Sequence, residues 1–418
     1  MTIRISTLSC GVRVVTDPIA TVETVSLGIW VGAGSRHETL DNNGVAHFLE
    51  HMAFKGTERR SALQIAEEIE SVGGYLNAYT SREVTAYYAR VLKEDTRLAL
   101  DILTDIFQHS TFDPEELERE REVILQEIGQ CHDTPDDIIH DHFQETSYPN
   151  QAIGRPILGT VPLIKSMPRQ TLIDFMKNHY DPRQVLVVAS GNVQHDQLVT
   201  WAEEMLSLSS LAEIQSIEAG HFIGGDVREK RNLEQLHLLL GVEGPSAKDD
   251  RYYDGLIFST IFGGGMASRL FQEVREKRGL VYSIYSSLTS YLDSGFLSIY
   301  AGTSEKDSKT LVDVVVDEFQ KMTQHITPEE ILRAKAQMKA SLLMGLESSS
   351  GRARRIAHTI LTFGRYISLD EVIAKIERVA VENVYTFAKD SLKAPFSMAA
   401  IGPLAELPTY EAIRSRLG

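Results

Sequence analysis

Asp101-Ile102-Leu103-Thr104-Asp105-Ile106-Phe107-Gln108 returns later in the chain as Asp313-Val314-Val315-Val316-Asp317-Glu318-Phe319-Gln320. Both aspartates, the phenylalanine and the glutamine are kept, at an offset of 313 − 101 = 212. Pro114-Glu115-Glu116 returns as Pro328-Glu329-Glu330 at 328 − 114 = 214, and Gly73 has a counterpart in Gly279 at 279 − 73 = 206. Offsets that drift by a few residues while the order is kept describe two copies of one domain with small insertions, not a short-period solenoid. The chain of 418 residues with 43% hydrophobic composition has room for two domains of about 200 residues, each with its own core.

Period-2 patterning predicts strands over 25–31 and 84–91, interleaved with amphipathic helices, and the second half offers 236–242 and 295–301 in matching places. The apolar run 185–190 before Gly191-Asn192 corresponds to 396–401 before Gly402-Pro403, and each run closes its copy. The expected fold class is α+β: two homologous α/β-sandwich domains from an internal duplication. Between 207 and 231, serine, glycine and charge replace periodic apolar residues, which sets an N-terminal domain over 1–215 and a C-terminal domain over 225–418.

The copies differ where the chemistry sits, and the offset of 214 sets Ser341 opposite Glu127. Gly44-Val45-Ala46-His47-Phe48-Leu49-Glu50-His51 places two imidazoles four residues apart with a carboxylate between them. Residues i and i+4 of a helix share a face, so His47 and His51 can both offer a ring nitrogen to one metal ion. Glu50 leans over the same face, where it can accept a proton from water at that ion without being a ligand. Aligning Phe54 with Phe262, at 262 − 54 = 208, sets Gly255, Phe258 and Ser259 opposite these three residues. The second copy therefore cannot bind the same metal and is expected to hold substrate instead.

A further ligand is expected on a second helix. Asp113 reads as an N-cap, Pro114 as the first helical residue and Glu116 as the closing member of a capping box, in a helix predicted to run to about Gly129. Leu117, Ile124, Leu125 and Ile128 form its apolar stripe. Glu120 and Glu127 flank that stripe seven residues apart, and a buried carboxylate needs a compensating cation. An ion on His47 and His51 is that cation, with Glu127 as third ligand and Glu120 as a carboxylate orienting a histidine or the water. Two histidines, one glutamate and an open water position are a common catalytic zinc set.

The segment His47-Phe48-Leu49-Glu50-His51, followed 127 − 51 = 76 positions later by Glu127, resembles the inverted-motif zinc peptidases of the pitrilysin and insulin-degrading family. The likeness is strongest to bacterial homologues of the mitochondrial processing peptidase β subunit. It extends over nearly the whole chain, through Gly73-Gly74-Tyr75-Leu76-Asn77-Ala78-Tyr79-Thr80-Ser81-Arg82-Glu83 and Phe271-Gln272-Glu273-Val274-Arg275-Glu276-Lys277-Arg278-Gly279-Leu280-Val281-Tyr282. The resemblance implies one zinc ion per chain, hydrolysis of short unfolded peptides with Glu50 as base, and a chain that forms half of a clamshell. Basic, presequence-like peptides belong to the implied substrate class. The same resemblance makes Asn77 and the backbone of Ala78 a substrate-contacting loop before an edge strand. It also makes Arg275 and Tyr282 contributors to the scissile region across a dimer interface, with a copy of this chain or a related subunit as partner. By itself, the Arg275 to Arg278 run reads as a charged helix end. An extended peptide is expected to pair with the strand that follows Tyr79. Relatives of this fold also include metal-free subunits that act only as scaffolds or partners, and that is the alternative reading.

Composition narrows the field. Forty-two basic against 58 acidic residues give a net charge of −16, which argues against nucleic acid, whose phosphates need basic patches. The uncharged stretch 255–268 contains three consecutive glycines and is too short for a bilayer span. Gly263-Gly264-Gly265 has no Gly-Lys-Ser/Thr after it and so is no phosphate loop. Residues 1–17 lack the apolar block of a signal peptide, and Cys10 and Cys131 are the only cysteines, so a cytoplasmic location is expected. Cys131-His132 with His140-Asp141-His142 matches no standard zinc spacing and reads as polar helix and loop.

Overall fold

The computed structural model describes residues 3–417 apart from Ala212 and Gln215. Met1, Gln215 and Gly418, which end the two expected domains, lie outside the described residues.

Among the described residues, eleven strands fall in two sheets. The first holds β1 (Arg4–Thr7), β2 (Arg13–Pro18), β3 (Thr24–Val31), β4 (Tyr75–Thr80), β5 (Thr85–Leu92) and β6 (Val185–Gly191), in the order β1-β2-β6-β3-β5-β4. The second holds β7 (Gly225–Lys230), β8 (Leu236–Glu243), β9 (Val281–Ser290), β10 (Gly295–Thr303) and β11 (Phe396–Gly402), in the order β7-β11-β8-β10-β9. Leaving β1 aside, the two orders are the same, and each has one parallel pair at the corresponding place, β2 with β6 and β7 with β11. The helices that matter below are α1 (Val45–Ala53), α2 (Thr96–Gln108), α3 (Pro114–Asp133), α4 (Pro135–Ser147), α5 (Tyr252–Gly263), α6 (Ser308–Met322), α7 (Pro328–Gly345) and α8 (Ser349–Phe363). Helices α2 and α6 carry the two copies of the repeated segment, and α3 and α7 begin at its repeated Pro-Glu-Glu.

Alternation along the strands decides what each sheet face meets. On the first sheet, Leu27, Ile29, Tyr87, Ala89, Val187 and Ala189 bury against apolar residues of α1 and α2. The intervening residues Trp30, Ala86, Leu186 and Val188 are buried too, under Ala353, Ile356, Ala357 and Ile360 of α8. The second sheet repeats this plan. Leu238, Leu240, Leu297 and Ile299 pack with α5 and α6, and Leu239, Phe296, Tyr300 and Ala399 pack with Ile139 and Phe143 of α4.

Each sheet is thus covered on its second face by a helix from the other half of the sequence. The compact units are 1–130, 155–218 and 343–367 on one side, and 131–154, 219–342 and 368–418 on the other. Their segments alternate along the sequence, which a division into contiguous domains over 1–215 and 225–418 does not convey. The physical reason is that a sheet apolar on both faces needs two covering layers, and one copy of the domain supplies only one. Polar contacts fix α8 in place: Arg352 Nε and Nη2 donate to buried Asp17 at 2.5 and 2.9 Å, and the hydroxyls of Ser26 and Ser349 lie 2.8 Å apart.

Candidate metal centre

Helix α1 begins at a glycine that no other residue could replace without strain. Gly44 has φ 95°, and a Cβ there would stand 2.7 Å from Ile164 Cδ1 and 2.9 Å from Gly159 Cα. The helix N-terminus has no capping side chain of its own. Its free donors are met by Glu38, six residues upstream and almost fully buried, which accepts from Gly44 N (2.9 Å), Ala46 N (2.8 Å) and Asn43 Nδ2 (2.8 Å). Burial pushes the Glu38 carboxyl up to about 7, while those three donors pull it down. Val45, Ala46, Phe48, Leu49 and Met52 bury the inner face of α1, which leaves His47, Glu50 and His51 to look outward.

Helix α3 starts where Asp113 Oδ1 accepts from the N–H groups of Glu115 (2.9 Å) and Glu116 (3.2 Å). Leu117 and Ile124 are buried, with Leu125 and Ile128 packed at the margin of the core. This stripe turns Glu120 and Glu127 toward α1. His47 Nε2 lies 3.7 Å and His51 Nε2 3.5 Å from the same Glu127 Oε2. Ligand atoms of these three residues all fall within 4.8 Å of one another. At 3.5 to 3.7 Å these contacts are longer than ordinary hydrogen bonds. Two imidazole nitrogens and one carboxylate oxygen around an open position fit a zinc ion.

The surroundings act on each of these side chains. Burial and the neighbouring His51 ring depress His47 to about 3, so its imidazole is neutral and its lone pair free. His47 Nδ1 is buried without a hydrogen-bond partner among the described residues. His51 Nδ1 is 2.9 Å from Glu120 Oε2, and Glu120 in turn accepts from Lys55 Nζ at 2.6 Å. Glu120, mostly buried, therefore orients His51 and leaves its Nε2 facing Glu127. Glu50 is raised above the ordinary carboxyl range, first by burial, while hydrogen bonds with Thr80 pull the other way.

Two expectations about the substrate segment need correction. The strand after Tyr79 is β5, paired on both sides by β3 and β4, so it has no open edge. The edge strand is β4, and Asn77 and Ala78 lie within it, not in a loop before it. The run from Tyr75 to Thr80 alternates only two apolar residues, Leu76 and Ala78, with tyrosines and asparagine, a signal too weak to mark the strand. Leu76 and Ala78 face the core beneath α1. By alternation Asn77 faces the other way, and its Nδ2 donates to Tyr75 Oη at 2.5 Å while its Oδ1 accepts from Ala78 N at 2.7 Å. In the second unit, the Arg275 guanidinium lies 4.8 Å from the Phe271 ring centroid and 5.4 Å from that of Tyr282, which is 80% exposed.

Sequence reasoning missed Glu38, Lys55 and Thr80. Lys55 follows His51 by four residues and carries that faint signal. Glu38 had none, because a loop separates it from the helix it caps. Among the described residues no other group of His, Cys, Asp and Glu meets the spacing of a metal site, so Cys131, His132, His140, Asp141 and His142 form none. Both cysteines are free. No helix among the described residues is long and apolar enough to cross a membrane.

Two sheets of one topology, with a histidine, histidine and glutamate constellation on one copy only, define a duplicated metallopeptidase-like fold. The sequence profile of Insulinase (Peptidase family M16) matches residues 13–161, and that of the Peptidase M16 inactive domain matches 166–338. The chain is 39% identical to the uncharacterized zinc protease YmxG of Bacillus subtilis over 96% of its own length and 98% of that protein's. It is 40% identical to an uncharacterized zinc protease of Rickettsia felis, covering 96% and 97%. Among solved structures it resembles a protease from Helicobacter pylori, with TM-score 0.90, 21% identity and coverage of 96% and 99%. It also resembles a chain of complex III2 from Candida albicans, with TM-score 0.89, 22% identity and full coverage of both chains. The chain belongs to the insulinase family of peptidases.

Proposed function

We propose that this protein is a zinc metalloendopeptidase that hydrolyses unfolded peptides. The observation that carries the reading is the approach of His47 Nε2 and His51 Nε2 to one oxygen of Glu127, beside the half-buried carboxyl of Glu50. A zinc ion held by His47, His51 and Glu127 supplies a Lewis acid that activates water and polarises a peptide carbonyl. Glu50 takes a proton from the attacking water and returns it to the departing amine. Its raised affinity for protons suits both halves of that cycle. Glu120 and Lys55 hold the His51 ring.

The free edge of β4 offers backbone pairing to an extended chain, which gives affinity with loose sequence demands. Ala78 N–H already donates to the Asn77 side chain, and an incoming peptide carbonyl exchanges for that internal bond. Substrates are short and unfolded because a peptide must be extended to add as a strand; basic, presequence-like peptides remain within the class. Arg275 and Tyr282 act on the scissile region of a partner chain, as guanidinium and phenol donors to a carbonyl or oxyanion. The working form is a homodimer or a pair with a related subunit, in the cytoplasm.

The test is metal content together with digestion of a mixed peptide library. One zinc per chain is expected, with cuts that stop on chelation and return when zinc is restored. A scaffold subunit gives neither metal nor cuts; a hydrolase of small molecules keeps the metal and leaves the peptides whole. For the dimer, mixing a Tyr282→Phe protomer with a Glu50→Gln protomer is expected to leave one working composite site and so a measurable rate. Complete inactivity of that mixture excludes action across the interface.

A further inference from the structure

The face of the first sheet that lies away from α1 is not fully covered by α8. Near the β4 edge a cavity of about 230 Å³ remains, walled by Trp30, Tyr75, Tyr79 and Tyr88, with Arg90 and Arg354 at its border. The walls are internally tied. Trp30 Nε1 donates to Tyr79 Oη at 3.2 Å, and the Tyr88 ring centroid lies 6.5 Å from that of Tyr75 and 6.2 Å from that of Tyr79. Trp30 and Tyr88 fill the space over Gly28, where a Cβ would come within 2.8 Å of each.

The arginines are the unusual element. On α8, Arg352 binds Asp17, and Arg355 donates to Tyr366 Oη and Ile367 O. Arg354, between them, has its guanidinium carbon 5.7 Å from the Tyr79 ring and lies near the Tyr88 phenol. Neither Arg354 nor Arg90 has a carboxylate partner among the described residues. Both are exposed, and in a chain with 58 acids for 42 bases two guanidiniums without an acid beside one aromatic cavity offer paired donors to an anion from outside.

We propose that this cavity is a specificity subsite that takes an acidic side chain of the bound peptide, with Arg354 as the group that pairs with its carboxylate. The inference rests on the peptidase reading and on pairing with β4. A peptide added to that edge presents alternate side chains to the two sheet faces. Those of one parity meet the metal face, and those of the other lie alongside Tyr75, Asn77 and Tyr79, within reach of Arg354. The preference is therefore for Asp or Glu at alternate positions counted from the scissile bond, and it vanishes when the acid is moved by one residue.

The experiment walks a single glutamate through an otherwise uncharged peptide and compares the zinc-loaded wild type with Arg354→Gln and Arg354→Glu, reading cut sites and relative kcat/KM. In the wild type, peptides with the acid at the favoured parity are expected to be cut roughly tenfold faster than those with it one position away. Within Arg354→Gln the ratio falls toward one, and within Arg354→Glu a walked lysine takes the glutamate's place. Since the chain has two tryptophans, a Trp201→Phe background isolates Trp30, whose emission reports occupancy in a Glu50→Gln protein that leaves the peptide whole. Peptides cut with no acid preference, or with the same preference in all three proteins, overturn the subsite and leave the peptidase standing. If nothing is cut but acidic peptides still shift Trp30 emission in an Arg354-dependent way, the subsite stands and the peptidase reading falls. Silence in both readouts removes both.

Discussion

Glu50→Gln is expected to retain one zinc per chain and to lose peptide hydrolysis by roughly 10²- to 10⁴-fold in kcat, the usual contribution of a positioned acid–base group. The substitution keeps the length of the side chain and a carbonyl oxygen that can face Thr80, so α1 and its packing are undisturbed. The donor atoms of His47, His51 and Glu127 are untouched. What disappears is the carboxylate on that helix face that can bind and release a proton without being a ligand. The effect belongs in kcat and kcat/KM together, because the base acts in the transition state and adds nothing to ground-state binding. Metal analysis of the purified variant beside its turnover on one peptide settles the matter. Zinc lost along with activity would make Glu50 a ligand and force a different role on Glu127.

The residues that meet at the centre could be read because each sat in a pattern with its own physical meaning. His47 and His51 share a helix face at i and i+4, and the seven-residue spacing of Glu120 and Glu127 turns both toward the same side of a capped helix. The duplication could be read for a similar reason: strands 24–31 and 236–243 repeat the same alternation, and both occupy the same place in their sheets. Other features leave no local trace. Glu38 caps α1 across an intervening loop, and no spacing rule joins a cap to a helix six residues on. The edge strand β4 was hidden because its outer residues are two tyrosines, which border a cavity, and an asparagine, so that face carries no core pattern. Nor does the pattern of α4 or α8 disclose its partner. Ile139 with Phe143 and Ile356 with Ile360 announce that a helix has an apolar face, but amphipathicity does not say which sheet receives it.

That exchange leads to the largest expected effect on folding. Residues 1–218 produced alone, although they contain the whole first sheet and every metal ligand, are expected not to fold cooperatively. Without α8 the sheet face that holds Val15, Trp30, Leu186 and Val188 is left uncovered, and Ile356 and Ile360 are absent. At about 1.5 to 3 kcal/mol for each fully buried large side chain, this interface accounts for roughly 10 kcal/mol, comparable with the whole stability of an ordinary domain. The fragment also carries α4 with Ile139 and Phe143 exposed, since their sheet lies in the missing half. Supplying residues 343–367, fused to the fragment or co-expressed with it, restores the Arg352 pair with Asp17 and covers the open face, and a cooperative thermal transition should return. Near-ultraviolet circular dichroism and a melting curve distinguish the two samples. A cooperative transition in the bare fragment at the temperature of the full chain would show that the first sheet needs only the helices of its own half.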